Sequence, residues 1–410
     1  MEGVQGFIYP NELELQWSVL IVLYPFITGL VAGAFILASL ERVFNVRAVK
    51  PTYRLALLTA LAFLIVAPLP LQLHLGHPER SFSMYLTPHT QSAMAMFGFV
   101  YLWYLTVVLL LEIWLDYRKE IVEFWKASTG PKRWLYAALA LGVDNIDAAS
   151  LRVDDRLGRA VTIIGIPSAF LLHGYVGFIF GSLKANPWWS TPLMPVVFLF
   201  SAIVSGIALV MLLYIVLTWL RRHRIDMVCV DTIAQYLLYA LIIDFSLEML
   251  DLIHRLYEAD ESLKALDFMV RTRLWTSQVI VQIISGTVVP IVLLGLLQFG
   301  PLMTSTGRSV LARAVRGLWE LRLPIYVLAG TLTMIGIFAM RWNVVIGGQL
   351  FSKSFLGYTV YKMQFATREG LLPAVVLMVL PFVILWVLVR LLPPWDQEET
   401  EPATRPARAH

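Results

Sequence analysis

Residues 17–40 read WSVLIVLYPFITGLVAGAFILASL and contain no charged side chain. An apolar segment of about 20 residues is long enough to cross the hydrocarbon core of a bilayer as one helix. Gly29 and Gly33 lie four positions apart in it, a spacing that lets two membrane helices approach closely. The stretch therefore predicts a transmembrane helix that packs tightly against a neighbour.

Segments of this kind recur along the whole chain. Hydrophobic residues make up 58% of its 410 residues and charged residues 15%, against roughly a quarter in soluble domains. The sequence predicts an all-α polytopic membrane protein with about nine transmembrane helices. The predicted spans are Trp17–Leu40, Tyr53–Leu75, Ser92–Leu115, Gly158–Leu183, Thr191–Leu220, Thr232–His254, Leu274–Phe299, Leu323–Arg341 and Leu371–Leu392.

The distribution of charge predicts how the chain is oriented in the cell inner (cytoplasmic) membrane. Lysine and arginine are concentrated in the loops after the odd-numbered spans and in the tail, residues 393–410. Because such residues stay on the cytoplasmic side, residues 1–16 are predicted to lie outside and the tail inside. The tail is rich in Pro, Glu and Arg and is predicted to be disordered. The short stretch Trp134–Val143 is predicted to be an interfacial helix.

Two classes of function are disfavoured by composition. Nucleic-acid binding would need basic residues interleaved with aromatic ones, and the chain has no such run. Cys229 is the only cysteine, whereas an iron–sulfur cluster needs about four thiolates. Any iron–sulfur chemistry is therefore expected to belong to a partner protein.

Three carboxylates lie inside the predicted sixth span. Asp244, Glu248 and Asp251 follow the spacing i, i+4 and i+7, which lines one face of a helix. Ionisable groups in a membrane are costly, and they mark either proton paths or charge pairs between helices. The carboxylates are interpreted as a proton relay towards the outer surface or as structural partners of basic groups, with Arg255, Arg273 and Arg341 as the candidates.

Two further polar residues lie inside predicted spans. Glu112 is deep in the third span and is a candidate for a proton path. His173 lies in the fourth span between small and aromatic neighbours. A histidine can donate a hydrogen bond to a quinone carbonyl and exchange a proton near neutral pH, although a lone helical histidine is often only a packing residue.

The outer loop after the second span reads LHLGHPER at residues 73–80. Gly76 and Pro78 predict a turn. His74, His77 and Arg80 then crowd the membrane edge. They form either a polar lid over a headgroup pocket or an ordinary loop whose long side chains reach towards water.

Several of these motifs resemble those of one protein family. They are LGHPER at residues 75–80, the His173-Gly174 pair, KANPWW at 184–189, DLIHR at 251–255, RWN at 341–343 and REGL at 368–371. Over nearly its whole length the chain resembles the NrfD/PsrC family of quinone-reactive integral membrane subunits. The likeness is to the longer branch, with the membrane subunits of hydrogenase-2, alternative complex III, the quinone reductase complex and, most of all, the sulfur-metabolising Dsr complex. His74 stands where the family loop often has Asp.

The resemblance implies an architecture. A first four-helix bundle, residues 17–183, would hold a quinone site, and residues 191–341 would form a second. Residues 371–392 would be a peripheral helix.

The resemblance also implies a chemistry. Menaquinone or another quinone would be bound as substrate by His173, Tyr175, His74, His77 and Arg80. Protons would follow a path implied to comprise Glu112, Asp244, Glu248, Asp251 and Arg341. Electrons would be exchanged with a ferredoxin-like iron–sulfur subunit on the outer face, alongside other membrane and cytochrome subunits. The chain itself would hold no haem or iron–sulfur cluster.

Two other classes of function remain open. A secondary transporter also has intramembrane carboxylates and helices interrupted by glycine. A haem-b cytochrome needs axial histidines at matched depth on facing helices. Of the seven histidines, His173 alone lies well inside a span, while His74 and His254 are near the outer edge.

Overall fold

A computed structural model of the chain describes residues 4–258, 263–304 and 317–395. The predicted disordered tail therefore lies outside the described residues from position 396 onward. So does the basic segment 305–316 of the loop before the predicted eighth span.

The described residues are almost entirely helical. The α-helices are α1 (Val19–Arg42), α2 (Lys50–Val66), α3 (Leu69–His74), α4 (Ser83–Leu86), α5 (Ala93–Trp103), α6 (Leu111–Ala127), α7 (Pro131–Leu139), α8 (Ala148–Gly181), α9 (Met194–Leu220), α10 (Met227–Glu258), α11 (Leu263–Met269), α12 (Val289–Thr304), α13 (Arg322–Trp342), α14 (Gly348–Leu350) and α15 (Leu371–Leu391). Wider π-helical turns occupy Tyr104–Leu110, Val270–Val288 and Asn343–Gly347. Short 3-10 turns occupy Pro10–Glu12, Arg47–Val49 and Pro78–Arg80, and the two strands are β1 (Gln5–Gly6) and β2 (Gly357–Tyr358).

Within the described ranges, eight helical runs are long and apolar enough to cross a membrane. They are Val19–Arg42, Arg47–His74, Ala95–Ala127, Ala148–Gly181, Met194–Leu220, Leu263–Phe299, Arg322–Leu350 and Leu371–Leu391. The predicted all-α, multi-pass architecture is confirmed. The predicted sixth span, Thr232–His254, lies within α10, which is not among these eight. The count of nine spans therefore stays a prediction.

Two helices extend further into the loop between the third and fourth predicted spans than the apolar pattern predicts. The third helical run continues through α6 to Ala127, beyond the predicted end at Leu115. The fourth begins at Ala148, where the Asp147 side chain caps the helix by accepting from the Ser150 backbone N–H at 2.7 Å. Arg118 and Asp154 form a buried ion pair between α6 and α8, which stabilises these polar extensions.

The predicted interfacial helix is present as α7, shifted towards the N-terminus. It begins at Pro131, a residue suited to the first helical turn, and ends before Gly142, whose backbone adopts φ +79°. Trp134 on this helix is exposed.

The first and fifth apolar helices, α1 and α9, cross at very close range. A Cβ atom added to Gly33 would lie 2.1 Å from the carbonyl oxygen of Ala202 and 2.8 Å from the Cα of Gly206. No side chain larger than hydrogen fits at either glycine without moving the backbone. The small residues noted in the sequence therefore bring α1 and α9 together at the centre of the molecule.

The other long helices surround this central pair. α2 and α8 pack against α1, and the third helical run packs against α8. On the other side α10 and α13 pack against α9, and the Val270–Val288 turn packs against α13. This arrangement is compatible with bundles at residues 17–183 and 191–341, whose boundaries stay a prediction. α15 packs mainly against α2, at the side of the first group.

The N-terminal segment is tied down on the face that carries the 73–80 loop. β1 pairs antiparallel with β2, so that Gln5 faces Tyr358. Trp17 and Gln349 exchange hydrogen bonds, the Trp17 backbone N–H donating to the amide oxygen at 2.9 Å. A cavity lies beside this N-terminal segment.

Candidate functional site

A cavity of about 760 Å³ opens beneath the loop at residues 73–80. It lies between α1, α3, α4, α5 and the end of α8. Its walls are mostly apolar and aromatic, the aromatic members being Trp17, Tyr24, Phe82, Tyr85, Phe97, Tyr101 and Phe180. A large apolar cavity with a few polar groups is typical of a site for a small organic molecule.

Three of the predicted site residues line this cavity. His74, His77 and Arg80 contribute to its outer rim. His77 forms an exposed pair with Glu79, the ring Nδ1 lying 3.0 Å from a carboxylate oxygen. The sequence-based interpretation of this loop as a polar lid fits its position over the cavity.

Tyr24 is the polar group that sequence reasoning missed in the cavity wall. It lies less than two turns into α1, and its ring packs edge-on against Phe97 at 5.4 Å between centroids. Its hydroxyl is buried and has no hydrogen-bond partner in the described part of the chain. Burying a hydroxyl without a partner costs about 1–3 kcal/mol. Tyr24 lines the cavity, but its hydroxyl has almost no accessible surface, so a bound molecule can accept from it only after neighbouring side chains shift.

The outer rim is held by the segment that precedes the last helix. The Nδ1 atom of His74 lies 2.9 Å from Oε2 of Glu369. Arg368 donates to the backbone oxygen of Leu75 at 2.8 Å and to that of Gln72 at 3.3 Å. Two consecutive residues from a distant part of the sequence thus fix the end of α3.

Tyr85 closes another part of the rim. Its hydroxyl donates to the backbone oxygen of Gly98 at 3.1 Å. Burial raises the pKa of Tyr85, so its hydroxyl stays protonated as a donor across the physiological range. This bond ties α4 to α5 above the cavity.

His173 does not line the cavity but lies behind it in the protein interior. The residue is 0% exposed and its ring stacks on Phe198, with 5.8 Å between centroids. Its Nε2 is 3.0 Å from the guanidinium Nη2 of Arg341, and its Nδ1 is 3.2 Å from the hydroxyl of Thr28. The sequence placed His173 in the headgroup pocket, whereas the packing of α8 against α1 and α9 turns it inward.

These contacts fix the hydrogen-bonding state of His173. The guanidinium can only donate, so Nε2 accepts and the ring proton sits on Nδ1. Nδ1–H donates to the Thr28 oxygen, and the Thr28 hydroxyl donates to the backbone oxygen of Tyr24 at 3.0 Å. A chain of hydrogen bonds therefore runs from Arg341 through His173 and Thr28 to the turn of α1 that carries Tyr24.

Arg341 is fully buried at the junction of α8, α9 and α13. Besides His173, it donates to the hydroxyl of Ser201 at 2.6 Å and to the backbone oxygen of Phe198 at 3.3 Å. Its guanidinium carbon lies 4.1 Å from the centroid of the Phe198 ring. Tyr175, the neighbour of His173 in the predicted site, is half-buried and packs on Phe178, outside the described cavity lining.

One predicted proton-path residue, Glu248, belongs to a separate polar network, and a second, Asp244, lies one turn away on the same helix. Glu248 accepts from the side chain of Gln282 at 3.2 Å, and Gln282 accepts from that of Asn343 at 2.8 Å. Asn343 in turn accepts from the Ser277 hydroxyl at 2.6 Å. Asp244, one turn before Glu248, is buried, and its Oδ1 lacks a partner among the described residues.

The other two carboxylates of the predicted path are held elsewhere. Asp251 accepts from Arg255 at 2.9 Å and from Thr191, so for this residue the geometry matches the alternative of structural pairing. Glu112 is buried near the opposite end of the bundle, where Tyr53 donates to it at 3.2 Å and Thr162 at 2.7 Å.

A signal for Tyr24 was present in the sequence but weak. Tyr24 and Thr28 are one turn apart in α1, on the face that meets His173, yet aromatic residues in apolar helices usually only pack. Glu369 could not be linked to His74, because a separation of 295 residues is set only by tertiary packing.

Comparison with known proteins places the chain among membrane proteins of one family. A family model described as "Polysulphide reductase, NrfD" matches residues 10–353. This range includes the outer loop, the cavity walls, His173 and Arg341.

Three curated relatives are similar over about half of this chain. A selenate reductase subunit of Mesobacillus selenatarsenatis is 31% identical over 205 residues, 48% of each chain. The membrane subunit of a putative dimethyl sulfoxide reductase of Halobacterium salinarum is 28% identical over 208 residues, 49% of this chain and 43% of the relative. Protein NrfD of Escherichia coli is 29% identical over 202 residues, 48% of this chain and 59% of the relative.

The chain thus spans about half the length of the curated relatives it matches. The resemblance to the Dsr branch stays a prediction. The family match itself extends over most of the sequence and agrees with the resemblance seen in the motifs. The chain belongs to the NrfD family of multi-pass membrane proteins.

Proposed function

We propose that the chain is the quinone-reactive membrane subunit of a respiratory reductase-type complex, and that the outer cavity binds the quinone headgroup. The observation that carries the proposal is the apolar cavity of about 760 Å³ with the unpartnered Tyr24 hydroxyl in its wall. Relatives named as reductase subunits support assignment to a complex of this kind.

The cavity residues fit a flat aromatic ring with polar oxygens. Aromatic and aliphatic walls suit the ring and its isoprenoid tail, and the Tyr24 hydroxyl can donate to a carbonyl oxygen. His74, His77 and Arg80 supply polar groups at the rim. When bound, the quinone supplies two-electron, two-proton redox chemistry, and menaquinone is the form we propose.

Electron transfer between the quinone and a metal centre requires a partner protein. The single cysteine, Cys229, is buried, so this chain cannot supply four thiolates to a cluster. We propose that a ferredoxin-like iron–sulfur subunit docks on the face of the cavity, alongside other membrane and cytochrome subunits. Since both ring nitrogens of His173 have partners, its geometry favours a hydrogen-bonding role over haem ligation.

The proposed membrane orientation rests on the distribution of charge. The chain is proposed to lie in the cell inner membrane with its N-terminus outside and its C-terminus in the cytoplasm. The cavity then opens to the outer face. The proposed proton path comprises Glu112, Asp244, Glu248, Asp251 and Arg341; the Glu248–Gln282–Asn343 network supports its central part.

Changing Tyr24 to Phe tests the cavity directly. The Tyr24→Phe variant removes only the unpartnered hydroxyl, so we expect the free energy of unfolding to increase by about 1 kcal/mol. Loss of one hydrogen bond to the headgroup should weaken binding about fivefold. Binding is measured by quenching of a fluorescent hydroxyquinoline N-oxide quinol analogue, and stability by thermal unfolding of the complex. Unchanged affinity would remove Tyr24 from the site.

Changing Glu248 to Gln tests the proposed proton path. The Glu248→Gln variant keeps the size and the contact with Gln282 but cannot carry a proton. We expect menadiol-linked turnover to fall about fivefold and its pH profile to change. Glu258→Gln, at the exposed end of the same helix, is the matched control and should keep the rate of the unmodified complex. Equal rates and profiles for both variants would count against the path.

A further inference from the structure

Glu369 holds the cavity rim through a contact with His74. Neither the sequence motifs nor the proposed headgroup site gives this residue a role. It lies just before α15 and reaches across to the last residue of α3, where its Oε2 is 2.9 Å from Nδ1 of His74. His74 belongs to the cavity lining, whereas Glu369 stands behind it. The carboxylate thus contacts Nδ1 of the histidine without itself lining the cavity.

This contact determines what the His74 ring can do. A carboxylate only accepts, so Nδ1 carries the ring proton and Nε2 is left with its lone pair. Within residues 4–258, 263–304 and 317–395, the structure gives Nε2 no protein partner at hydrogen-bond distance. The carboxylate fixes the tautomer and the orientation of the ring, so Nε2 is the atom that can accept a proton.

The pair also connects the cavity to water. The side chain of His74 is 23% exposed and that of Glu369 is 38% exposed. The proton on Nδ1 of His74 therefore has a partly exposed carboxylate beside it, through which it can reach water. By contrast, His173 is completely buried and both of its nitrogens are engaged, so it cannot deliver a proton to solvent without breaking these bonds.

We infer that Glu369 is a positioning residue that makes His74 the proton acceptor of the cavity and opens a proton exit to the outer face. The inference rests on the proposed binding of a quinol. His74 Nε2 takes a proton from a quinol hydroxyl: the O–H bond breaks and an N–H bond forms, while the proton already on Nδ1 passes to the Glu369 carboxylate and from there to water. Return of the ring to its starting tautomer frees Nε2 for the second quinol proton. Oxidation of one quinol releases two protons in two such transfers, and its two electrons pass to the iron–sulfur partner.

Other titratable groups surround this pair and contribute to its pH dependence. From the outer loop they are His77, Glu79 and Arg80; from the segment before α15, Tyr361 and Arg368; from α1, Tyr24; and from across the cavity, Tyr85, His89 and Tyr101. Burial raises the pKa of Tyr361, and the charge of Glu369 raises it further, so this phenol stays neutral.

The test compares Glu369→Gln, Glu369→Asp and Glu258→Gln in the complex purified from its own membranes. Glu369→Gln keeps a hydrogen-bond acceptor for the Nδ1–H of His74 but removes the carboxylate that passes the proton on to water. We expect menadiol oxidation to slow about fivefold and its pH–rate profile to change. Glu369→Asp restores the charge and should recover at least part of the rate.

Glu258→Gln is the matched control, since it alters a second His–Glu pair, His254–Glu258, whose partners are 45% and 59% exposed and lie outside the cavity lining. Its rate and pH profile should equal those of the unmodified complex. Binding of the fluorescent quinol analogue is measured for every variant. Normal binding by Glu369→Gln with an unmoved pH profile would overturn the inference and leave the proposed function standing. Absence of binding in the unmodified complex would overturn the proposed function itself.

Discussion

Replacing His173 with alanine is expected to reduce menadiol-linked turnover at least about tenfold, equivalent to about 1.4 kcal/mol in activation free energy, while the complex still assembles. The side chain links Arg341 to Thr28, and Thr28 holds the turn of α1 that carries Tyr24. Without the imidazole, the guanidinium loses a partner in the interior and the turn loses its support. Turnover is measured per mole of assembled complex at several pH values.

The control for this variant is another histidine-to-alanine change. His223 lies in an exposed turn between α9 and α10, far along the chain from the cavity walls. His223→Ala should keep the rate of the unmodified complex. If His173→Ala also turns over normally, the buried hydrogen-bond chain has no part in the reaction.

Replacing Gly33 with leucine is expected to abolish recovery of folded protein. A Cβ atom at this position would lie 2.1 Å from the backbone oxygen of Ala202, so α1 and α9 must separate. Overpacking a core usually costs about 1–3 kcal/mol, and a clash with backbone that cannot rotate away costs more. The measurement is the yield of monodisperse complex after solubilisation.

A second membrane-embedded glycine provides the control. Gly295 lies in α12, where an added Cβ meets nothing within 4 Å. Gly295→Leu should give the yield of the unmodified protein. A normal yield from Gly33→Leu would mean that the α1–α9 crossing is not required for the fold.

The apolar pattern predicts the helices well because lipid imposes it on each span separately. A run such as residues 17–40 must bury its backbone hydrogen bonds within one helix wherever its neighbours lie. The pattern predicts the ends less well. α6 and α8 extend into the loop between them because Arg118 and Asp154 form an ion pair. A contact between two helices cannot be read from the hydropathy of either one.

The candidate site could be predicted only in part. The loop at residues 73–80 was recognisable, because turn residues and clustered polar groups at a membrane edge are local features. The position of His173 could not be predicted. Its side chain contacts Arg341 and does not line the cavity, and this orientation depends on how α8, α9 and α13 pack. Glu369 could not be predicted as the partner of His74, because this contact also depends on tertiary packing.

The central claim is that the outer cavity binds a quinone headgroup, and photolabelling of the purified complex with an azidoquinone tests it most directly. The account predicts labelled peptides within residues 17–24 and 72–101, with labelling suppressed by excess menaquinone. Labelling confined to other helices, or labelling that menaquinone does not displace, would contradict it.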